Sequence, residues 1–439
     1  MDRRADRRTA TMVARVATVV VAAALVAGGT ATGTAAASTA AAGVAAGSAG
    51  SAPTLRELAA RRGLLVGTAV DSAATLGGDP TYAAVLAREH GAGVSENAMK
   101  WGPIHPRPGV YEFADADAQV AFLEANGMAV RGHNLAWWNQ NPAWLDDGTW
   151  TRDQLIEVLR EHIFTVVGRY QGRVAQWDVV NEAIGTDLQP WPNVWQRVIG
   201  FPDYLDLAFR FAHEADPAAK LYYNDFLLEA PSPRFDAVLG LVQGMQARGV
   251  PIDGIGMQAH LGQETCAAAC TNRLLTNMVR VAGLGLDVAV TELDVALPLP
   301  ASPQALADQA SVYQSVLQAC LLAPTCHTFV TWGFTDRYSW IPGYRPGFGA
   351  ALPFDEEYRA KPAYDALVAT LLSPPVAPSC AGFATRAEAQ GAFDAGVLGA
   401  PLLDPDGDGI ACEDLPAPAA APGVPVGSAS VPLTPAFTG

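Results

Sequence analysis

A closed (β/α)8 barrel, an α/β architecture, is the fold that this 439-residue sequence predicts. Three observations predict it. From Thr54 to about Leu372, short apolar, β-branched runs alternate with longer stretches of helical period, the pattern of βαβ units on a parallel sheet. The runs begin near Leu64, Gly91, Ala129, Val174, Ala219, Gly254, Asp287 and Thr328, which makes eight, and eight such units in about 320 residues suffice to close a ring. Seven of the eight runs end in polar or aromatic residues: Ser95-Glu96-Asn97, Gly132-His133-Asn134, Asn181-Glu182, Asn224-Asp225, Gln258-Ala259-His260, Thr291-Glu292 and Thr331-Trp332-Gly333. Functional groups are therefore expected at the C-terminal rim of the barrel, where barrel enzymes keep their active sites.

The flanks read differently. Arg3, Arg4, Arg7, Arg8 and Arg15 precede an apolar run from Val16 to Gly28, and Ala35-Ala36-Ala37 stands before Ser38. Residues 1–37 are expected to be an export signal, by the general or the twin-arginine route, and the mature chain to be extracellular with no membrane span. Residues 38–53, rich in Ala, Gly and Ser, are expected to be a linker. After the barrel, at 54–372, comes a Pro-rich break at 373–379, a small unit at 380–414, and a Pro- and Ala-rich tail at 415–439 expected to lack packed structure. In an exported chain the six cysteines imply disulfides, and proximity pairs Cys266 with Cys270, Cys320 with Cys326 and Cys380 with Cys412. A net charge of −16 and a pI near 4.8 argue against nucleic acid or an anionic membrane as partner and favour a neutral substrate.

Glu182 and Glu292 each close an apolar run, Trp177-Asp178-Val179-Val180-Asn181 and Val288-Ala289-Val290-Thr291. A carboxylate that has left water is costly unless the site uses or neutralises it. The two are 110 residues apart, about three βα units, which places them on the fourth and seventh strands, facing across the barrel. Two carboxylates about 5–5.5 Å apart are the apparatus of glycosidic cleavage with retention, one as nucleophile and the other as proton shuttle.

These motifs, together with Ala98-Met99-Lys100-Trp101 after Asn97 and Arg131 before Gly132, give a chain that resembles glycoside hydrolase family 10 over about 55–372. That family's typical members are endo-β-1,4-xylanases. The resemblance implies a TIM barrel, xylan or xylo-oligosaccharide as substrate and no cofactor for catalysis. A monomer is expected, although the sequence itself does not give the oligomeric state. The resemblance makes Glu182 the acid/base and Glu292 the nucleophile. Asn181 is expected to donate to the sugar 2-hydroxyl, His260 to hold Glu292, and Gln258 to orient either the acid/base or the sugar. Glu96, Asn97 and Lys100 match the family's sugar-binding cluster, and His133 and Trp137 the wall at the cleavage point. Trp332 and Trp340 are expected to stack on pyranose faces, while Trp101 and Trp144 read as structural. The chain departs from the family at Trp138-Asn139-Gln140, where a second tryptophan stands in place of the usual histidine. A barrel glycosidase for another β-linked glycan, such as a β-1,4-glucan, and a non-catalytic glycan-binding surface protein are the alternatives. The intact carboxylate pair argues against the latter.

In the small unit, Asp404-Pro405-Asp406-Gly407-Asp408-Gly409 places acidic residues alternately and ends in glycine, a calcium-loop pattern. An EF-hand needs Glu at the twelfth position, which here is Leu415, with Glu413 two places early. With Cys412 and Cys380, the unit resembles the extracellular calcium-binding excalibur domain. That resemblance implies Ca²⁺ ligands at Asp404, Asp406, Asp408, the Ile410 carbonyl and Glu413, and leaves cell-surface attachment or stabilisation open as its role.

Overall fold

The computed structural model describes residues 52–72, 74–262, 270–397, 399–405 and 407–416. The expected export signal, nearly all of the linker, Cys266, Asp406 and most of the tail lie outside them. Eight parallel strands form a closed ring: β1 Leu65–Val70, β2 Ala92–Ser95, β3 Ala129–Trp137, β4 Val174–Asn181, β5 Lys220–Asp225, β6 Gly254–Met257, β8 Asp287–Pro298 and β9 Cys326–Thr331. Each pairs with the next, and β9 returns to β1 through Leu65–Thr328 and Thr68–Thr331. Two short strands, β7 His260–Gly262 and β10 Phe348–Gly349, add to β8 above the ring. All eight expected strands are present, each starting within two residues of its expected position.

Two strand ends differ from the sequence reading. Gly132-His133-Asn134 is not the end of β3, which runs on to Trp137 after a register shift between His133 and Ala136. Glu292 is not the last residue of its strand either. β8 shifts register against β9 between Val290 and Leu293, leaves the ring, and continues to Pro298 by pairing with β7 and β10. An apolar, β-branched run marks a buried strand but does not show where that strand changes partner.

The helices pack outside the ring because each has one apolar stripe. In Arg152–Arg169 the buried apolar residues are Leu155, Leu159, Ile163, Val166 and Val167, spaced on one face, and Thr151 with Gln154 forms a capping box at the start. Each such side chain contributes roughly 1.5–3 kcal/mol on burial, more than the few tenths by which β-branched residues disfavour a helix. Inside the ring, Arg131 pairs with buried Asp178 and lies 4.6 Å from the Tyr222 ring, and Gln176 donates to Thr328 at 2.9 Å. Trp101 and Trp144 are structural, as expected: their indole N–H groups bond the carbonyls of Leu135 and His105. Among the described residues no helix is long and apolar enough to cross a membrane.

Cys320–Cys326 and Cys380–Cys412 are disulfide-bonded, with Cα separations of 5.2 and 5.4 Å. Of the expected Cys266–Cys270 bridge, Cys270 opens the helix Cys270–Ala282, and Cys266 falls outside the described residues. Helix Arg386–Asp394 is capped by Thr385 and Glu388, and Phe383, Ala389, Val397 and Leu403 around it join the barrel's own core.

Candidate active site

Glu182 stands immediately beyond β4 with φ 54°, a left-handed conformation that is costly for a residue with a Cβ. The surroundings hold it there. Its own N–H donates to the Asn224 carbonyl at 2.9 Å, and the following Ala183 N–H donates to the Tyr223 hydroxyl at 3.0 Å. That hydroxyl donates to Asp225 at 2.6 Å, Arg234 pairs with Asp225 at 2.6 Å, and Arg234 also reaches the Gly185 carbonyl at 2.7 Å. Burial pushes the Asp225 carboxyl up to about 7, against the pull of Arg234. A second left-handed residue, Ala259 at φ 63°, lies between Gln258 and His260, and its N–H donates to buried Glu229 at 2.9 Å.

Both glutamates are buried, 5% and 4% exposed, but their neighbours differ. Glu182 accepts from neutral donors. Trp137 Nε1 and Trp138 Nε1 each lie 2.9 Å from Oε2, and Gln258 Nε2 lies 2.8 Å from Oε1. Glu292 Oε1 accepts from Asn224 Nδ2 at 2.7 Å, and Oε2 lies 3.0 Å from His260 Nε2. The other ring nitrogen of His260 lies 3.0 Å from Asp294, which also accepts from Trp340 Nε1 at 2.8 Å. Only an imidazolium donates from both ring nitrogens. Burial opposes that charge, but Asp294 and Glu292 hold the His260 pKa well above its usual value. Burial likewise pushes Glu292 up. The His260 hydrogen bond and the fields of His133 and His260 outweigh it, and the carboxyl ends below its ordinary range.

The sequence-predicted rim residues gather around this pair. Asn181 Oδ1 accepts from Asn224 at 2.9 Å and from Gln258 at 3.3 Å, which turns its amide nitrogen into the outward donor. Gln258 thus orients Glu182 and Asn181 together. Lys100 is 6% exposed and no surface ion pair. It donates to Asn97 at 3.0 Å and lies 5.3 and 5.9 Å from the ring centres of Trp137 and Trp332. Burial lowers the Lys100 pKa, opposed by Glu96, Glu292 and Glu182. Burial raises the Glu96 pKa to about 7, with Lys100 opposing. His133 Nδ1 is 3.0 Å from Asp178, and its ring meets Trp332 edge-on at 5.0 Å. Trp332 is nearly buried, while Trp340 is half-buried and stacks on Tyr344 at 4.7 Å.

Several contributing residues were not singled out from sequence: Asn224, Asp294, Tyr223, Arg234, Glu229 and Asp178. Asn224 carried a signal, since Asn224-Asp225 ends a predicted strand. Asp294 lies two residues beyond Glu292 on the same side of an extended strand, a spacing that could have marked it. Trp138 stood out only as a departure. In the structure it donates to Glu182 and stacks on Trp191 at 4.5 Å.

The C-terminal loop lies apart from these residues in the sequence and supplies hard oxygen donors of the kind calcium takes. Asp404 is nearly buried, and its two oxygens accept from the Gly407 and Gly409 N–H groups at 2.9 Å each. Asp408 accepts from the Ile410 N–H at 2.8 Å, and Glu413 is exposed. With Asp406 undescribed, no group of three or more acidic, histidine or cysteine side chains among the described residues comes together as a metal cluster. The donor chemistry suits calcium, whereas the full set of five predicted ligands is not assembled by what is described.

Comparison with known proteins agrees with the geometry. The model of glycosyl hydrolase family 10 matches residues 54–370. Endo-1,4-beta-xylanase B of Thermotoga neapolitana is 40% identical over 287 residues, 65% of this chain and 82% of that protein. Endo-1,4-beta-xylanase 1 of Humicola insolens is 40% identical over 328 residues, covering 74% and 76%. The crystal structure of native xylanase 10B from Thermotoga maritima superposes with a TM-score of 0.70 at 40% identity, covering 73% of this chain and 98% of that one. The complex of xylanase 10B from Thermotoga petrophila RKU-1 with xylobiose has the same score, identity and share of this chain. With two glutamates clamped at one barrel rim, and a family model matched along nearly the whole barrel, the chain belongs to glycosyl hydrolase family 10.

Proposed function

We propose that this protein is a secreted endo-1,4-β-xylanase that hydrolyses internal β-1,4-xylosidic bonds with retention of configuration. The observation that carries the reading is the unequal treatment of two buried carboxylates. Glu292, pulled towards its ionised form by His260, is the nucleophile that forms a bond to the anomeric carbon. Glu182, held by the neutral donors Trp137, Trp138 and Gln258, is the proton shuttle. It gives a proton to the leaving oxygen and then takes one from the water that releases the sugar. Asn181 donates to the 2-hydroxyl, a bond that strengthens as positive charge develops on the ring. Glu96, Asn97 and Lys100 bind sugar hydroxyls, His133 and Trp137 wall the cleavage point, and Trp332 and Trp340 border the sugar face. The test is product analysis on glucuronoxylan with the anomer followed by proton NMR. The expected first product is the β-anomer of short xylo-oligosaccharides. An α-anomer refutes the mechanism, and faster action on carboxymethyl cellulose refutes the substrate.

Export belongs to the same reading. The basic and apolar segment at residues 1–37 supports it, as do the two disulfides, which persist outside the reducing cytosol. For the C-terminal unit we propose Ca²⁺ held by Asp404, Asp406, Asp408, the Ile410 carbonyl and Glu413. Bound there, the ion would neutralise the loop's charge and tie it down. Replacing EDTA by millimolar Ca²⁺ is expected to raise the melting temperature, and Asp408→Ala to abolish the rise. An unchanged melting temperature in the native protein sinks this assignment.

A further inference from the structure

The most informative feature beyond the family pattern is the second tryptophan. Trp138 and Trp137 both donate to one oxygen of Glu182, Oε2, at 2.9 Å each, while Gln258 donates to Oε1 at 2.8 Å. A carboxylate oxygen has two lone-pair sites. Two indole N–H groups therefore fill Oε2, whereas Oε1 keeps one site open. An indole is a donor only, so neither tryptophan can accept a proton placed between it and Oε2.

The position of Trp138 is itself fixed. Its ring stacks on Trp191 at 4.5 Å and 22° and meets Trp137 edge-on at 6.2 Å. Trp191 is tied back to the catalytic segment, since its backbone N–H donates to the Ala183 carbonyl at 3.1 Å and Ile184 bridges Pro190. The loop after β4 thus folds over so that one of its own aromatic rings supports the donor to Glu182. Moving Trp138 would disturb that loop, and moving the loop would disturb Trp138.

We propose that Trp138 is a positioning residue for the proton shuttle: with Trp137 it saturates Glu182 Oε2 and so confines the transferable proton to Oε1. The proposal rests on the reading of Glu182 as acid/base and deepens it. In the first step the bond between the anomeric carbon and the leaving oxygen breaks, a bond from that carbon to Glu292 forms, and the proton on Oε1 passes to the leaving oxygen. Glu182 is left as a carboxylate with both indole bonds intact. Without the Trp138 N–H, the proton has a second place to reside, on Oε2, and acid assistance is diluted.

The consequence is selective. A leaving group that needs no proton should be far less sensitive to Trp138 than one that does. The experiment compares kcat/KM for Trp138→Phe on xylohexaose and on 2,4-dinitrophenyl β-xylobioside, whose phenolate leaves unaided. The loss on xylohexaose is expected to exceed the loss on the dinitrophenyl substrate by about tenfold, a fraction of the roughly 10²–10⁴-fold that general acid catalysis supplies, because Glu182 itself remains in place. Equal losses on the two substrates, or none on xylohexaose, overturn the proposal, because a purely structural ring would affect both alike. The ratio does not depend on how much of the variant is folded, and Trp138→Leu gives the same comparison if phenylalanine packs badly. Glu182→Ala tests the underlying reading separately. If that variant still cleaves xylohexaose at the native rate, the acid/base assignment fails. If it loses xylohexaose but keeps most of the dinitrophenyl activity, the assignment stands and the Trp138 result is judged alone.

Discussion

At Glu182 and Glu292 the same functional group meets two sets of neighbours, and the neighbours decide the chemistry. Glu292 faces a histidine held between it and Asp294, so its negative charge is matched within 3.0 Å. Replacing Glu292 by Ala is expected to abolish hydrolysis while xylan binding persists. Retained turnover in that variant would exclude it as nucleophile. Asn224 is the next most telling residue, because one amide nitrogen serves Glu292 at 2.7 Å and Asn181 at 2.9 Å. Asn224→Ala should lower kcat/KM on xylan by about 10²-fold, the scale of a small misplacement of reacting groups. A loss below threefold would show that Glu292 is held without it. The two glutamates were legible in the sequence because each closes an apolar run. Asn224 was legible only as part of a strand end, since its two partners come from β4 and β8 and meet it only in the closed ring.

The strands act as mounts, and a glycine on one of them shows how little room there is. A Cβ added to Gly256 on β6 would lie 2.2 Å from Asn224 Oδ1 and 2.9 Å from Thr291 Cγ2. Gly256→Ala is therefore expected to cost activity through Asn224 more than stability. The check is kcat/KM alongside thermal melting, and a variant that melts early yet turns over normally contradicts it. Helix Pro80–Glu89 offers a second case. Its C-cap residue, His90, sits where a helix end favours a cation, and Nδ1 lies 3.3 Å from the Leu86 carbonyl. Burial wins, and the His90 pKa is lowered to about 4. The unfolded chain then takes up this proton first, so the stability tied to neutral His90 is present above about 6.5 and is lost as pH falls towards 4. Relative to His90→Gln, the native protein should lose its melting-temperature advantage over that interval. A constant gap between the two would refute the assignment. Helix and strand periodicity exposed these elements, but not the mid-strand register shifts of β3 against β4 and of β8 against β9.

On the scale of the whole molecule, the barrel and the small C-terminal unit share one apolar core, yet the disulfide Cys380–Cys412 belongs to the unit alone. It spans a sequence separation of 32 residues. Closing such a loop is worth about 3–4 kcal/mol in the chain-entropy view. Replacing both cysteines by serine should loosen the unit, seen as faster backbone amide exchange over 380–416, while xylan hydrolysis is retained. Loss of hydrolysis would mean that the barrel depends on the unit.

The sequence by itself determined the barrel, the rim that bears the chemistry, and the pair of carboxylates, because all three follow from local period and from the cost of burying charge. The motif resemblance already assigned the two roles and set His260 beside Glu292; only the tertiary structure decided the contacts that hold the two carboxylates differently. Asn224 bridging Asn181 and Glu292, His260 locked between Glu292 and Asp294, and Trp138 closing one oxygen of Glu182 all join residues 32 to 68 positions apart in the sequence. No periodicity reports such contacts. They depend on the angle and register at which eight strands close, and that is a property of the ring rather than of any run within it.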